Sequence, residues 1–176
     1  MKKINVIGTS GSGKSTFAKK LSKKLGYPYI EMDAIFWGKD WFWPSDDEFF
    51  KNLEQRLSVD QWVLDGNYTR TVSIKWKEVD TIIWIDYSLH RTLYQALKRA
   101  IVRSCTREEL WPGTGNRESF RKLLSKDSIL LWTIKTYHKN KKKYSKLAEN
   151  PEYREINIVR LRSPKECQKY LSETGT

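Results

Sequence analysis

The sequence predicts a three-layer α/β fold, with five parallel strands in one sheet and helices on both faces. Three observations predict it. Short apolar runs recur along the 176-residue chain, and most are followed by a segment of helical periodicity. The first of them leads straight into the glycine-rich stretch Gly8 to Thr16. Three others end beside an aspartate, Asp33, Asp65 or Asp86, at the edge where a parallel sheet presents its ligand-binding side chains.

The elements follow in order. Ile4 to Ile7 reads as the first strand. A helix starts at about Lys14 and reaches Leu25, with Phe17, Ala18, Leu21 and Leu25 on one side and Gly26 as its stop. Tyr29 to Glu31 is the second strand. Asp46 to about Leu57 is an amphipathic helix whose N-cap is Ser45, with Glu48 three residues on. Gln61 to Leu64 is the third strand and Thr81 to Ile85 the fourth. The next helix spans Arg91 to about Thr106 with Leu93, Leu97 and Ile101 as its apolar stripe, and Trp111 to Asn116 then breaks the chain. A long helical region is predicted over Glu118 to Ala148. Glu155 to Val159 is the fifth strand, and a closing helix runs from Pro164 to Leu171 with proline in its first turn. No repeat or linker interrupts this order, so residues 1–176 read as one domain, with a lid at about 104–120.

Gly8, Gly13, Lys14 and Ser15 satisfy the pattern G-x-x-x-x-G-K-[ST]. Backbone N–H groups of such a loop wrap a phosphate, and the helix behind it adds its positive N-terminal dipole. Gly8, Ser10, Gly11, Ser12, Gly13, Lys14, Ser15 and Thr16 are therefore expected to hold a nucleotide. Lys14 reaches the β- and γ-phosphates, and the Ser15 hydroxyl ligates the bridging Mg²⁺. A functionless Gly/Ser turn would not need the strand before it or the helix after it.

Two acids compete to order that metal. Asp65 is followed by Gly66-Asn67-Tyr68-Thr69-Arg70, a turn in which Arg70 could bind substrate. Asp86 precedes the next helix and could equally be a capping or turn acid. Asp33 lies beside aromatics and suits the acceptor, where a carboxylate orients or deprotonates a hydroxyl; its alternative reading is the N-cap of a short helix.

Arg99 and Arg103 are four apart, so they share a helix face one turn apart, placed away from the leucine stripe. Arg107, Arg117 and Arg121 continue the series around the break. Guanidinium groups on a flap compensate charge on transferring phosphates. Arg99 and Arg103 are expected to be exposed without nucleotide and to close onto phosphate with the flap. Trp37, Trp41, Phe42 and Trp43 cluster after Asp33 and could wall an acceptor pocket, core packing being the plainer use of most of them.

The net charge is +12, and residues 87–146 carry 15 Lys/Arg against 4 Asp/Glu. That segment handles anions, either polyphosphate or nucleic acid, although Lys139 to Lys143 read most simply as a solvated helix face. The two cysteines, Cys105 and Cys167, lie far apart, read as buried or half-buried thiols, and suit a reducing, cytoplasmic location. No segment has the apolar length of a membrane span.

Taken in order, the phosphate loop, "EMDAIFW", "WVLDGNYTR", "TIIWID", the arginine-bearing helix and "INIVRLRS" resemble the adenylate-kinase-like P-loop kinases. Within them the chain is most similar to the bacterial DNA topology modulation proteins, the FlaR-related group. The resemblance runs from Ile4 to about Leu171. It implies a P-loop NTPase fold with a lid, ATP and Mg²⁺ as cofactors, and phosphoryl transfer to a small acceptor: a nucleotide, a nucleoside or a hydroxylated metabolite. Asp65 in "LDG" resembles the Asp that orders Mg²⁺ through water. Arg99 and Arg103 resemble lid-hinge arginines on phosphates, while Arg117 and Arg121 sit where post-lid arginines stand. After "LDG" this chain has "NYTR" in place of Phe-Pro-Arg, so adenosine monophosphate is not implied as the acceptor. An Asp after strand two is similar to kinases of hydroxylated metabolites such as shikimate kinase. No guanine-reading Asn-Lys-x-Asp occurs, and ATP is the expected donor. The competing class is a nucleic-acid-associated protein that uses ATP as a switch; any other nucleic-acid binding is expected to be weak and non-specific.

Overall fold

A computed structural model describes residues 1–119, 128–147 and 149–175. Five strands, β1 (Lys3–Gly8), β2 (Tyr29–Glu31), β3 (Trp62–Asp65), β4 (Thr81–Ile85) and β5 (Asn157–Leu161), form one sheet in the order β2-β3-β1-β4-β5. Every pairing is parallel. The sheet is the one predicted, with β3 and β5 displaced towards their carboxyl ends by one and two residues.

Side chains alternate between the two faces, and each face has its own core. Ile4, Val6, Val63, Ile83 and Ile85 pack against α1 (Lys14–Leu25) and α7 (Pro164–Glu173). Ile7, Leu64, Ile82 and Trp84 pack with Phe49 and Leu53 of α3 (Asp46–Leu57) and with Tyr144 and Leu147 of α6 (Ile129–Leu147). Helix boundaries follow local chemistry. Gly26 ends α1 in the left-handed conformation, and the side chains of Ser45 and Ser163 accept the backbone N–H of Glu48 and Glu166. Two short helices, α2 (Met32–Phe36) and α4 (Val72–Lys75), follow β2 and β3.

α5 (Leu89–Thr106) forms where expected but with the opposite face buried. Thr92, Ala96, Ala100 and Ser104 are its buried residues, whereas Leu97 and Ile101 are 39% and 41% exposed. The reason is steric. A Cβ built on Gly11 would stand 2.7 Å from the Thr92 carbonyl oxygen and 2.8 Å from the Ala96 Cβ, so helix and phosphate loop approach more closely than a leucine stripe permits. The predicted apolar stripe therefore faces solvent at Leu97 and Ile101, with Leu93 half-buried.

Glu118, Ser119 and Ser128 are not helical, so the expected long helix does not begin at Glu118; Arg121 and Ala148 lie outside the described residues. Cys105 is exposed rather than buried, Cys167 is buried, and both thiols are free. Among the described residues no helix is long and apolar enough to cross a membrane.

Candidate functional site

The β1–α1 junction builds a cradle. Gly11 and Gly13 hold φ of 82° and 88°, and Ser12 N–H closes a tight turn on the Thr9 carbonyl at 3.0 Å. Ser12 Oγ is buried with no hydrogen-bond partner among the described residues. Lys14 Nζ stands 3.9 Å from Asp65 Oδ1, its side chain 13% exposed.

Asp65 ends β3 at the neighbouring strand, 3% exposed. Its Oδ2 accepts the Tyr29 phenol at 2.8 Å, while Oδ1 is buried and has no hydrogen-bond partner. Burial and the Asp65 charge raise the Tyr29 phenol far above its ordinary range, which fixes it as a donor. The backbone turns sharply behind Asp65. Gly66 has φ 148°, and a Cβ there would lie 2.6 Å from the Met32 side chain. Asn5, a polar residue inside β1, pins this turn by donating Nδ2 to the Leu64 and Gly66 carbonyls at 3.1 and 3.0 Å.

The unpartnered Oδ1 fits a Mg²⁺ site. It leaves one buried carboxylate oxygen beside the phosphate-loop lysine, with Ser15 in the first turn of α1. Asp86 is engaged elsewhere. Arg160 Nε and Nη2 reach its Oδ2 at 2.9 and 2.5 Å, and Lys141 Nζ is 3.9 Å from the same oxygen. The cap of α5 is Ser88, not Asp86.

Asp33 lies in the first turn of α2, inside the helix rather than at its N-cap. Tyr68 donates its phenol to Asp33 Oδ1 at 2.7 Å, and burial first, then the Asp33 charge, drives that phenol well upward. Arg70 turns away from this acid. Its Nη1 pairs with Asp46 at 2.8 Å, and its guanidinium stacks over Phe36 and Phe49 at 4.9 and 5.4 Å.

Arg99 and Arg103 are half-buried, not exposed, because they flank the small-residue face of α5. Burial and then the Arg103 charge lower Arg99, while Glu118, Asp33 and Asp65 act in the opposite sense, so Arg99 lies in the field of both candidate acids. Its Nε has no partner. Arg103 Nη1 pairs with Glu118 at 3.1 Å, Arg107 caps α5 at φ 50°, and Arg117 is exposed in a bridge to Glu109.

The turn from Trp111 to Asn116 packs on the tryptophan cluster. Trp111 stacks with Trp37 at 6.4 Å and meets Trp41 edge-on at 6.1 Å, and its indole N–H reaches Glu31 Oε1 at 3.3 Å. Asn116, 1% exposed, accepts the Trp41 N–H at 2.7 Å and donates to the Gly38 carbonyl at 2.9 Å. Those bonds hold Asp40 and Trp41 at φ 55° and 62°, unusual for non-glycine residues. Trp43 joins the cluster through Trp37, whereas Phe42 is 67% exposed. Tyr29, Tyr68, Asn5, Asn116 and Trp111 were not read from the sequence. Asn5 had a signal, a lone amide within an apolar strand.

A family described as an AAA domain matches residues 4–112. A shikimate kinase from Persephonella marina is 30% identical over 116 residues, 56% of this chain and 68% of that protein. Another, from a Synechococcus species, is 32% identical over 97 residues, and there the chain spans half of the relative's length. A cytidylate kinase from Aster yellows witches'-broom phytoplasma is 56% identical over 34 residues, 19% of this chain and 15% of that protein. An unliganded sugar kinase structure from a Janibacter species covers 98% of this chain and 93% of its own at 14% identity and a TM-score of 0.54, a likeness of fold. The shikimate and cytidylate kinases among these relatives support phosphoryl transfer from ATP in general.

Proposed function

We propose, for a chain that belongs to the AAA domain family, phosphoryl transfer from Mg²⁺-ATP to a hydroxyl of a small, weakly charged acceptor. The observation that carries the reading is the placement of Arg99. It lies in the field of Asp65, which adjoins Lys14, and of Asp33, on the acceptor side.

The phosphate loop and Lys14 hold the β- and γ-phosphates, and Ser15 and Asp65 would hold Mg²⁺, which neutralises charge on the phosphates when bound. Tyr68 fixes Asp33, which orients the acceptor hydroxyl and takes its proton as the oxygen attacks the γ-phosphorus. The bond to the β-phosphate oxygen breaks, and ADP carries away the electron pair. Arg99 donates to the transferring phosphoryl oxygens.

The acceptor reading rests on which cations are already engaged. Arg70 is paired with Asp46, and Lys19 Nζ lies 3.7 Å from Glu31. Those pairings favour a hydroxylated metabolite over a nucleoside monophosphate, whose phosphate needs its own arginines.

A coupled ADP-release screen over metabolite alcohols, nucleosides and nucleoside monophosphates tests this. Lys14→Ala should fold normally and lose turnover. Asp33→Asn should lose transfer while ATP affinity stays within roughly a few-fold, because the amide keeps the shape without the base. Normal turnover in folded Lys14→Ala would falsify the kinase reading.

One observation favours the second class, a nucleic-acid-associated protein such as a topology modulation protein. Lys135, Lys139, Lys142 and Lys146 are exposed along one face of α6, at the spacing of successive helical turns.

A further inference from the structure

A cavity of about 330 Å³ opens between α4 and the carboxyl-terminal half of α6, lined by Thr69, Trp76, Lys143, Tyr144, Lys146 and Tyr153 among others. Its walls combine three aromatic rings with two lysines. Lys143 Nζ reaches Thr69 Oγ1 at 2.7 Å, and Trp76 meets Tyr153 edge-on at 5.2 Å.

A third lysine stands next to this wall. Lys75, on the short helix α4, is 2% exposed, and its ammonium lies 5.3 Å from the centroid of the Trp76 ring. No hydrogen bond or ion pair reaches it from the described residues. Burial is the main cause of its lowered proton affinity, and the one charge acting on it is Lys143, which lines the cavity and repels it. Lys143 is itself lowered, by burial and by Lys139. Glu152 borders the lining through Asn150 and Tyr153. Three lysines thus crowd at the edge of a space walled by rings, and among the described residues none of the three is paired with a carboxylate. A buried, unpaired ammonium is costly, and an anion in this space offsets that cost.

We propose that this cavity is a second anion site, separate from the phosphate loop, for a small phosphate carried on a flat apolar body. The anion meets Lys143 and Lys146 on the lining, with the Lys75 charge beside the Trp76 ring, and the ring packs among Trp76, Tyr144 and Tyr153. The site is two hydrogen bonds from the phosphate loop. Asn67 Nδ2 donates to the Tyr144 hydroxyl at 2.6 Å and to the Gly8 carbonyl at 3.2 Å.

Phenyl phosphate is the probe, titrated calorimetrically into the full chain, with inorganic phosphate and phenol as the two half-ligands. Saturable phenyl phosphate binding is expected that survives Lys14→Ala and weakens on the order of tenfold or more in Lys143→Ala, with each half-ligand weaker than the whole. Lys75→Met should weaken it as well. Lys143 is half-buried at the surface, so its variant keeps the test sound if Lys75→Met fails to fold. Absence of saturable binding, or its loss in folded Lys14→Ala, overturns the proposal, the latter because the phosphate loop is then the sole site. Undiminished binding in Lys143→Ala overturns it as well. Turnover is not the readout, so this result stands or falls apart from the kinase reading.

Discussion

Replacing Lys75 by Met should stabilise the protein, and by more at low pH than at high pH. The side chain is 2% exposed, and burial followed by repulsion from Lys143 brings its ammonium from 10.5 down to about 7. A base whose folded pKa lies below its unfolded one makes the unfolded chain bind more protons through the window between them. Stability therefore rises as pH climbs from about 7 towards 10.5. At about 1.36 kcal/mol per unit, the full penalty of the wild-type lysine is about 5 kcal/mol, carried entirely below pH 7. It falls to roughly 2 kcal/mol by pH 9, where the buried Lys75 of the folded protein is neutral while the unfolded chain still carries the proton. Methionine preserves much of the volume without an ionisable group. Urea unfolding of both proteins at pH 6.5 and pH 9 reads the effect, and the wild-type-to-variant difference cancels the general loss of positive charge on raising pH. The advantage of the variant should shrink by about 2–3 kcal/mol across that interval. A constant difference would mean that Lys75 finds a counter-charge or water in solution and is not a buried, unpaired base.

Arg99→Ala should lower kcat by about 10²-fold, as for one preorganised phosphate donor, with Lys restoring little; near-normal kcat with saturating ATP would make Arg99 a structural side chain. Arg103→Ala should cost less, because Glu118 already holds that guanidinium. Asn116→Ala should remove about 1–3 kcal/mol of local stability and release Trp41 and Gly38, seen as faster amide exchange at Gly38 to Phe42; unchanged exchange would show that the tryptophan contacts suffice. DNA binding through the α6 lysine stripe should be sequence-independent, with a slope of log K against log salt of about −3 to −4 for four phosphate contacts. A sequence-selective complex that persists at physiological salt would favour the switch reading.

The backbone plan was legible because its signals are local. Continuous apolar runs specify buried parallel strands, Gly26 and Ser45 mark helix ends by their own chemistry, and the loop from Gly8 to Thr16 needs nothing distant to form. The acids were placed correctly at the strand ends, but their partners were not foreseen. That Arg160 occupies Asp86 depends on β5 lying beside β4, and that Asp46 captures Arg70 depends on α3 packing over the turn after β3. Such pairings join residues 74 and 24 positions apart, and no periodicity encodes them.

The inversion of α5 shows what pattern reading misses and why it bears on function. Leucines spaced along a helix ordinarily mark the buried side, since apolar burial stabilises by about 25 cal/mol per Å². Here the buried side is set by how close the helix must come to a backbone loop, and only Thr92, Ala96, Ala100 and Ser104 leave that room. The consequence reaches Arg99 and Arg103, which flank the small-residue face. Had the leucines turned inward, both arginines would project into water. With the small residues inward, α5 lies against Gly11, and Arg99 is carried into the field of Asp33 and Asp65. A donor fixed in that way loses less entropy when phosphate binds than one recruited from solvent by a moving flap. The Trp111 turn is fixed in a comparable way, because Trp111 stacks on Trp37 and Asn116 donates to the Gly38 carbonyl.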